Sequence, residues 1–418
     1  MTSCTPPDAF APGKDMLRTH DALQALLSAV APVAETETVG LFEAAGRVLA
    51  QDVVSDRAVP PHDNSAVDGW AVFHSDLKEE GGTRLPVGGR IPAGHVLDRP
   101  ARPGETFRIF TGAPVPAGCD TILPQEVCAE ENGVVTLPFT KKGANLRKAG
   151  EDIQAGSVIL RAGTILRPQE IGLAASIGRG SLSVFRRLKV AIFSTGDEVR
   201  DPGQEAEPGA IYDSNRYVLW SLLRGMGCEV TDLGIVKDRP ELVREALTQA
   251  MTGFDAVLTS GGVSTGEEDH VKAVVEDLGS LHFWRIAIRP GRPLAFGQVG
   301  ATPFIGLPGN PVATMLTFLI FARPLLRRMM GMPDSLPRTY PAIADFSFKK
   351  RVGRREWLRG SLYRAEDGRV MLRRFPSEGS GILTSMVASD GLIVLPEDLP
   401  AVEPGTLLDF LPFSEVLG

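Results

Sequence analysis

The sequence predicts a multi-domain α/β plus β protein: a central parallel-sheet α/β domain, β-rich modules before it and a small β domain after it. Three observations carry that prediction. At 418 residues the chain has room for several domains of about 150 residues each. Between Leu188 and Met330, apolar strands alternate with helical patterns, as in a parallel sheet covered on both faces. On either side of that span, short β-type runs broken by Gly/Pro turns replace the alternation. Composition agrees, because 43% hydrophobic and 23% charged residues are ordinary for globular domains. Glycine and proline follow no short period, which excludes collagen-like, coiled-coil and disordered chains.

The opening residues to Lys14 are polar and Pro-rich and read as a loose arm. Leu23, Leu26, Leu27 and Val30 recur at helical spacing, so a helix is expected with Thr19 or Asp21 as its cap. From Gly40 to Ser183, runs such as RVLAQDVV, TFRIFTG, DTILPQE and SVILRAGTIL read as strands whose loops are free to carry function. LKVAIFST, CEVTDLGIV and FDAVLTSGG are apolar strands, followed by helical patterns over YDSNRYVLWSLLRGMG, RPELVREALTQAM and HVKAVVEDLG. WRIAI, LAFGQV and TPFIGLPG add strands before a long helix from Pro311 to Met330. Short strands return after Pro337 as a small all-β domain.

Several classes fall away. A net charge of −7 argues against a surface that wraps nucleic acid. Cys4, Cys119, Cys128 and Cys228 form no C-x-x-C pair, so a reducing cytoplasm is expected rather than a disulfide framework or zinc knuckle. No secretory signal opens the chain, and the apolar stretch Val312 to Ala322 is too short for a bilayer. Neither a P-loop nor G-x-G-x-x-G stands at a strand–helix junction, and no G-x-S-x-G elbow supports a hydrolase. The basic residues are 34 Arg against 10 Lys, an asymmetry that matters wherever an anion is bound.

Ligands of an open parallel sheet bind outside the carboxyl ends of its strands. Those ends carry Ser194, Thr195, Gly196, Asp197 and Glu198 after the first strand, and Ser260, Gly261, Gly262, Ser264, Gly266, Glu267, Glu268 and Asp269 after the third. Pro308, Gly309, Asn310 and Pro311 follow the last. Glycine loops that lead into helices suit phosphate, although any one of them alone could be plain turn chemistry. Their placement at successive strand ends favours a phosphorylated ligand. The carboxylates would repel it unless a cation stood between, which points to Mg²⁺; Glu267 and Glu268 read better as solvated charges. Arg285, Arg289 and Arg292, around RPGRP, either grip an oxyanion or pair with nearby carboxylates. In the β-rich half, PPHDNSAVDGWAV places Asp63, Asn64, Ser65 and Asp68 within six positions. The stretch from Asn145 to Ile153 sets Arg147 and Lys148 beside Glu151 and Asp152. His62 and His74 lack metal-ligand spacing.

The strings PPHDNSAVDGWAV, FTGAPVPAGCDTILPQE, LRKAGEDI, VAIFSTGDEV, GAIYDSNRYVL, TSGGVSTGEEDHVK, RPGRPLAFG and GLPGNPVA, in this order, resemble the molybdopterin molybdenumtransferase family, the MoeA-type proteins and the E domain of gephyrin. The resemblance implies four parts: residues 15–58 with 146–184 as an elongated module, an inserted β-rich domain over 59–145, a molybdopterin-binding α/β domain over 185–332, and a β-barrel-like domain over 333–418. It implies a cytoplasmic homodimer whose cleft joins the α/β domain of one copy to the inserted domain of the other. The implied reaction places molybdenum from molybdate into adenylylated molybdopterin with Mg²⁺ and releases AMP. By motif, Asp63, Thr111, Asp152, Glu198 and Asp238 would be catalytic, and Asp197 and Asp269 would hold the metal. Ser194, Thr195, Gly196, Ser260, Gly261, Gly262, Ser264, Gly266, Arg147, Arg285, Arg289, Arg292, Pro308, Gly309, Asn310 and Pro311 would bind the ligands. Ser380 or Ser385 would reach the same cleft. An upstream adenylyltransferase and downstream molybdoenzyme chaperones are the implied partners, with neither nucleic acid nor membrane. The alternatives are an adenylyltransferase and a non-catalytic gephyrin-like scaffold. The first needs little beyond the α/β domain; the second would be expected to lose some of the acidic motifs. Lysines that many family members carry around the equivalent of RPGRP are Arg here, which exchanges a point charge for a bidentate fork.

Overall fold

The structure is a computed structural model and describes residues 16–262, 270–291, 293–333 and 336–417. It divides into two compact units: one holds the chain up to Thr38, Gly46–Ala50 and everything from Ser183 on, the other Val39–Ala45 and Gln51–Leu182. In the larger unit, helix α1 (Thr19–Ser28) buries Ala22, Leu23 and Leu26 on one stripe, as its periodicity predicts. Its N-cap is Arg18, which makes no side-chain capping bond, so neither Thr19 nor Asp21 serves as the cap.

The smaller unit is built on a six-stranded sheet of β1 (Gly69–Val72), β2 (Thr83–Ile91), β3 (Thr106–Ile109), β4 (Thr121–Pro124), β5 (Ala129–Glu131) and β6 (Val134–Leu137), in the order β4-β1-β3-β2-β6-β5. Successive residues of β1 face opposite ways, and both faces are covered. Trp70 and Val72 pack with Leu85, Leu123 and Val135, whereas Ala71 packs with Ile91, Phe107 and Ile122. Beside this sheet, Asn64–Ser65 pairs with Leu146–Arg147, so two polar strings 80 residues apart in the chain become neighbours. Helix α2 (Pro168–Ser176) is an exception to the mostly strand character expected of this region. Pro168 suits a first helical position, and Glu170 accepts the backbone N–H of Arg167 at 3.0 Å, satisfying an otherwise free donor at the helix start.

The α/β part of the larger unit runs β7 (Lys189–Thr195), α3 (Asn215–Gly225), β8 (Glu229–Val236), α4 (Pro240–Met251), β9 (Ala256–Ser260), α5 (His270–Leu278), β10 (Gly279–Arg285), β11 (Ile288–Arg289), β12 (Pro293–Val299), β13 (Thr302–Leu307) and α6 (Pro311–Thr317). The sheet order is β8-β7-β9-β13-β12-β10. The first four strands are parallel, as expected, but β12 and β10 close the edge antiparallel. Only two residues, Gly300 and Ala301, link β12 to β13, and so short a link permits only an antiparallel pair. Ala191, Phe193 and Val257 face Val243, Leu247, Val271 and Val275 of α4 and α5. Alternate residues of β7 point to the opposite face, where α3 packs. Arg186 and Asp255 pair at 2.6 and 2.7 Å beside the starts of β7 and β9, and Asp255 also accepts the Lys189 N–H.

The expected long helix is present, with a wider turn in its middle: α6 passes through a π-type turn (Phe318–Ala322) into α7 (Arg323–Met329). Pro324 explains the turn, since its ring cannot tolerate a regular carbonyl one turn earlier. The last part is a closed barrel of β14 (Tyr340–Ala344), β15 (Arg355–Arg364), β16 (Val370–Arg374), β17 (Gly391–Leu395) and β18 (Leu407–Pro412), sealed by the β15–β17 pairing. Strand β11 joins its rim through Ile288 opposite Arg355, tying the barrel to the α/β part. No helix among the described residues is long and apolar enough to cross a membrane.

Phe304 is fully buried between the sheet and its helices. Phe304→Ala should cost about 3–5 kcal/mol, seen as a lower denaturant midpoint with an unchanged slope for the transition that reports this unit.

Candidate active site

Because β7, β9 and β13 are parallel, their C-terminal ends open on one edge, with Ser194 opposite Ser260 and Ser260 opposite Leu307. A cavity of about 200 Å³ lies there, lined by Ser194, Thr195, Gly196 and Glu198, by Ile211 to Asn215, by Asp238, by Ser260 to Gly262, and by Gly309 and Pro311. The loop after β9 needs glycine at two adjacent positions. Gly261 and Gly262 have φ of +89° and +64°, and a Cβ on Gly262 would lie 2.5 Å from the Thr195 hydroxyl.

One side chain ties the loops together. Asn215, at the first turn of α3, donates its amide to Ser260 Oγ and to the Gly309 carbonyl, each at 2.7 Å. Ser260 in turn donates to the Pro308 carbonyl at 3.4 Å. Asp213 accepts the Arg216 N–H at 3.1 Å, anchoring the start of the helix. The buried Arg216 guanidinium sits among Asp201, Asp213 and Asp232. Asp213 and Asn215, within GAIYDSNRYVL, are site residues that sequence reasoning missed. The usable signal was a polar Asp-x-Asn at the mouth of a parallel sheet, directly before an amphipathic helix.

Ser194, Thr195 and Asn215 are at least nine-tenths buried, yet Ser194 Oγ, Thr195 Oγ1 and Asn215 Oδ1 have no hydrogen-bond partner. Buried polar atoms are nearly always paired, so a cluster of exceptions in a cavity marks a place for a ligand. At the mouth, Asp197 accepts the Asp238 N–H at 3.4 Å, and Asp197 and Glu198 are exposed. These carboxylates are hard oxygen donors suited to Mg²⁺. No group of three His, Cys, Asp or Glu among the described residues is already gathered to hold a metal. Ser264, Gly266 and Asp269 lie outside the described residues, as does Arg292.

Of the predicted arginines, Arg285 ends β10, opposite Pro293. Arg289 reaches the barrel, where it pairs with Glu378 at 2.9 Å and Glu356 at 3.5 Å. Ser385 is corrected: it is fully buried, donating to the Ile382 carbonyl at 2.6 Å and accepting from Arg359 Nε at 2.9 Å. Ser380 is the serine beside the cavity loops, because its carbonyl accepts the N–H of Val312 at 2.9 Å. Arg359, which sequence reasoning missed, also binds the carbonyls of Ser377 and Gly379 and so shapes that loop.

The smaller unit gathers the other predicted residues. Ser65 exchanges backbone bonds with Gly112 and Ala113, and the Asp63 carbonyl accepts from Val115, which brings Thr111 to the Asp63 loop. Arg147 lies opposite Asn64, and the N–H of Asp152 donates to Val59. The Asp63 carboxylate takes Lys148 Nζ and the Ala149 N–H, each at 2.8 Å. The Lys148 bond and then the Ala149 bond hold its pKa below the ordinary value of an aspartate.

Gly262→Ala should leave the fold in place but weaken binding of a phosphorylated ligand, read by calorimetric titration with AMP; unchanged affinity would show that the loop does not shape the site. Lys148→Met should raise the Asp63 pKa toward its unfolded value, read by carboxyl NMR titration. The sign follows from linkage: a depressed carboxylate stabilises the fold above its unfolded pKa, and that gain is lost as pH falls through its folded value.

Comparison with known proteins gives matches over most of the chain. Residues 17–178 match the MoeA N-terminal region (domain I and II), 191–328 a probable molybdopterin binding domain, and 341–413 the MoeA C-terminal region (domain IV). A molybdopterin molybdenumtransferase of Haemophilus influenzae is 38% identical, covering 96% of this chain and 100% of that protein. One from a Nostoc species is 37% identical over 87% of this chain and 85% of its own. The crystal structure of the molybdopterin biosynthesis MoeA protein from Pyrococcus horikoshii superposes with a TM-score of 0.82 at 30% identity, covering 95% of this chain and all of that one. With all three regions matched in order and relatives aligned over nearly their full length, the chain belongs to the MoeA family.

Proposed function

We propose that this protein is a molybdopterin molybdenumtransferase, placing molybdenum from molybdate into the dithiolene of adenylylated molybdopterin and releasing AMP. The observation that carries the reading is the cavity at the ends of β7, β9 and β13, where unpartnered buried hydroxyls of Ser194 and Thr195 meet glycine loops tied by Asn215. Hydroxyl and backbone donors at such loops suit a ligand with a phosphate linkage. The relatives' shared name supports the reaction. An adenylyltransferase would leave the barrel and the smaller unit without a task.

Within this reading, the cavity loops hold the adenylylated ligand, Asp197 would hold Mg²⁺ together with Asp269, and Glu198 and Asp238 serve catalysis beside them. When bound, Mg²⁺ neutralises phosphate charge. Arg285 and Arg292 receive the molybdate dianion, for which guanidinium forks have matching geometry, while Arg289 is engaged by Glu378 and Glu356. Asp63, Thr111, Arg147 and Asp152 serve the transfer from the smaller unit. The enzyme works in the cytoplasm as a homodimer.

The test supplies purified protein with adenylylated molybdopterin, molybdate and Mg²⁺ and follows AMP release alongside cofactor formation. Turnover dependent on all three is expected, and its absence overturns the reading. Asp197→Asn should raise the Mg²⁺ concentration for half-maximal rate about 10-fold or more; an unchanged requirement removes Asp197 from the metal site.

A further inference from the structure

Asp68 lies in the PPHDNSAVDGWAV string, and no role has been assigned to it so far. One of its oxygens, Oδ1, accepts two hydrogen bonds from a single residue: the Thr111 N–H at 2.8 Å and the Thr111 hydroxyl at 2.8 Å. Both ends of this clamp stand on fixed backbone. The Asp68 carbonyl accepts the Gln125 N–H at 3.0 Å, and the adjacent Gly69 carbonyl accepts Arg108 Nη1 at 3.0 Å. Gly69 lies so close to β4 that a Cβ there would stand 2.0 Å from the Leu123 carbonyl oxygen. On the other side, Gly112 donates to Ser65 at 2.9 Å.

The clamp decides what Thr111 can offer a ligand. A threonine hydroxyl has one proton and two lone pairs. Its proton is engaged by the Asp68 carboxylate, a charge-assisted bond, while the residue itself is exposed. What Thr111 presents is therefore an acceptor. We infer that Asp68 is a positioning residue for the transfer reaction, holding Thr111 as a hydrogen-bond acceptor for an N–H or O–H of the organic substrate rather than as a donor to molybdate oxygen. This inference rests on the proposed transferase reading.

The experiment measures kcat and KM separately for adenylylated molybdopterin and for molybdate. It uses wild type, Asp68→Ala, Asp68→Asn, Thr111→Val and the Asp68→Ala/Thr111→Val double variant. Asp68→Ala should lower kcat/KM for the organic substrate about 10-fold, the worth of one hydrogen bond to a charged group, with the molybdate KM unchanged. Asp68→Asn should recover part of the loss, because an amide oxygen still accepts. The double variant should be no worse than Thr111→Val alone, since the two residues act through one contact. Additive losses, a raised molybdate KM or a fully active Asp68→Ala overturn the inference. Hydrogen exchange at the Thr111 amide supplies an arm that needs no turnover: protection in wild type, lost locally in Asp68→Ala, is expected. An unprotected amide in wild type removes the clamp. A wild type without turnover instead sinks the transferase reading and leaves this arm to decide the clamp.

Discussion

The candidate site depends on a single carboxamide. Asn215 stands at the start of α3, yet its two N–H bonds end on the loops that follow β9 and β13. Those loops are far apart in sequence and begin on neighbouring strands. Without the clasp, two glycine-rich turns would each be free to sample other conformations, at an entropy cost to any ligand that must order them. With it, Ser260 and Gly309 are held before a ligand arrives. The Asp213–Arg216 contacts fix the helix start, so the clasp has a rigid base. Asn215 also keeps its own oxygen unpartnered beside the unpartnered hydroxyls of Ser194 and Thr195. The wall of the cavity is thus ordered and unsatisfied together, as a preorganised binding site should be.

The smaller unit shows the same logic with different groups. Asp63 is held by Lys148 and the Ala149 amide, and Thr111 is held by Asp68. Asp63 and Thr111, which the family resemblance marks as functional, are each oriented by neighbours that the resemblance leaves unmarked. Positioning by a second residue is what lets an exposed carboxylate or hydroxyl keep one geometry in water. Loops carry these groups, but the strands beneath them, fully buried at β1, supply the rigidity.

Much of this was legible in the sequence, for identifiable reasons. Glycine and hydroxyl residues at STGDE, SGG and PGNP stand out because strand ends in a parallel sheet have a known use, and the structure brings them to one cavity. What was not legible depends on distant contacts. Asn215 looks like an ordinary helix-start residue until β9 and β13 are placed beside it. Ser385 and Ser380 are indistinguishable in GSGILTS; only the buried Arg359 shows that one faces inward and the other's backbone reaches α6. The antiparallel edge followed from a two-residue link hidden between LAFGQV and TPFIGLPG. Helix α2 was hidden because its short apolar pattern fits a strand equally well, and only its start carries the capping signal. The arginine excess is partly structural, since Arg186, Arg216 and Arg359 anchor strands, a helix start and a loop rather than a ligand.

In the proposed function, the site's geometry places the adenylylated ligand, once bound, in the cavity closed by Asn215. The most direct measurement is a crystal structure of this protein with adenylylated molybdopterin and Mg²⁺ bound. The expected result is ligand density at the ends of β7, β9 and β13, with a ligand acceptor within about 3 Å of the Ser194 or Thr195 hydroxyl. It includes retention of the Asn215 bonds to Ser260 and Gly309. Ligand density elsewhere on the molecule, with that cavity holding only water, would contradict it.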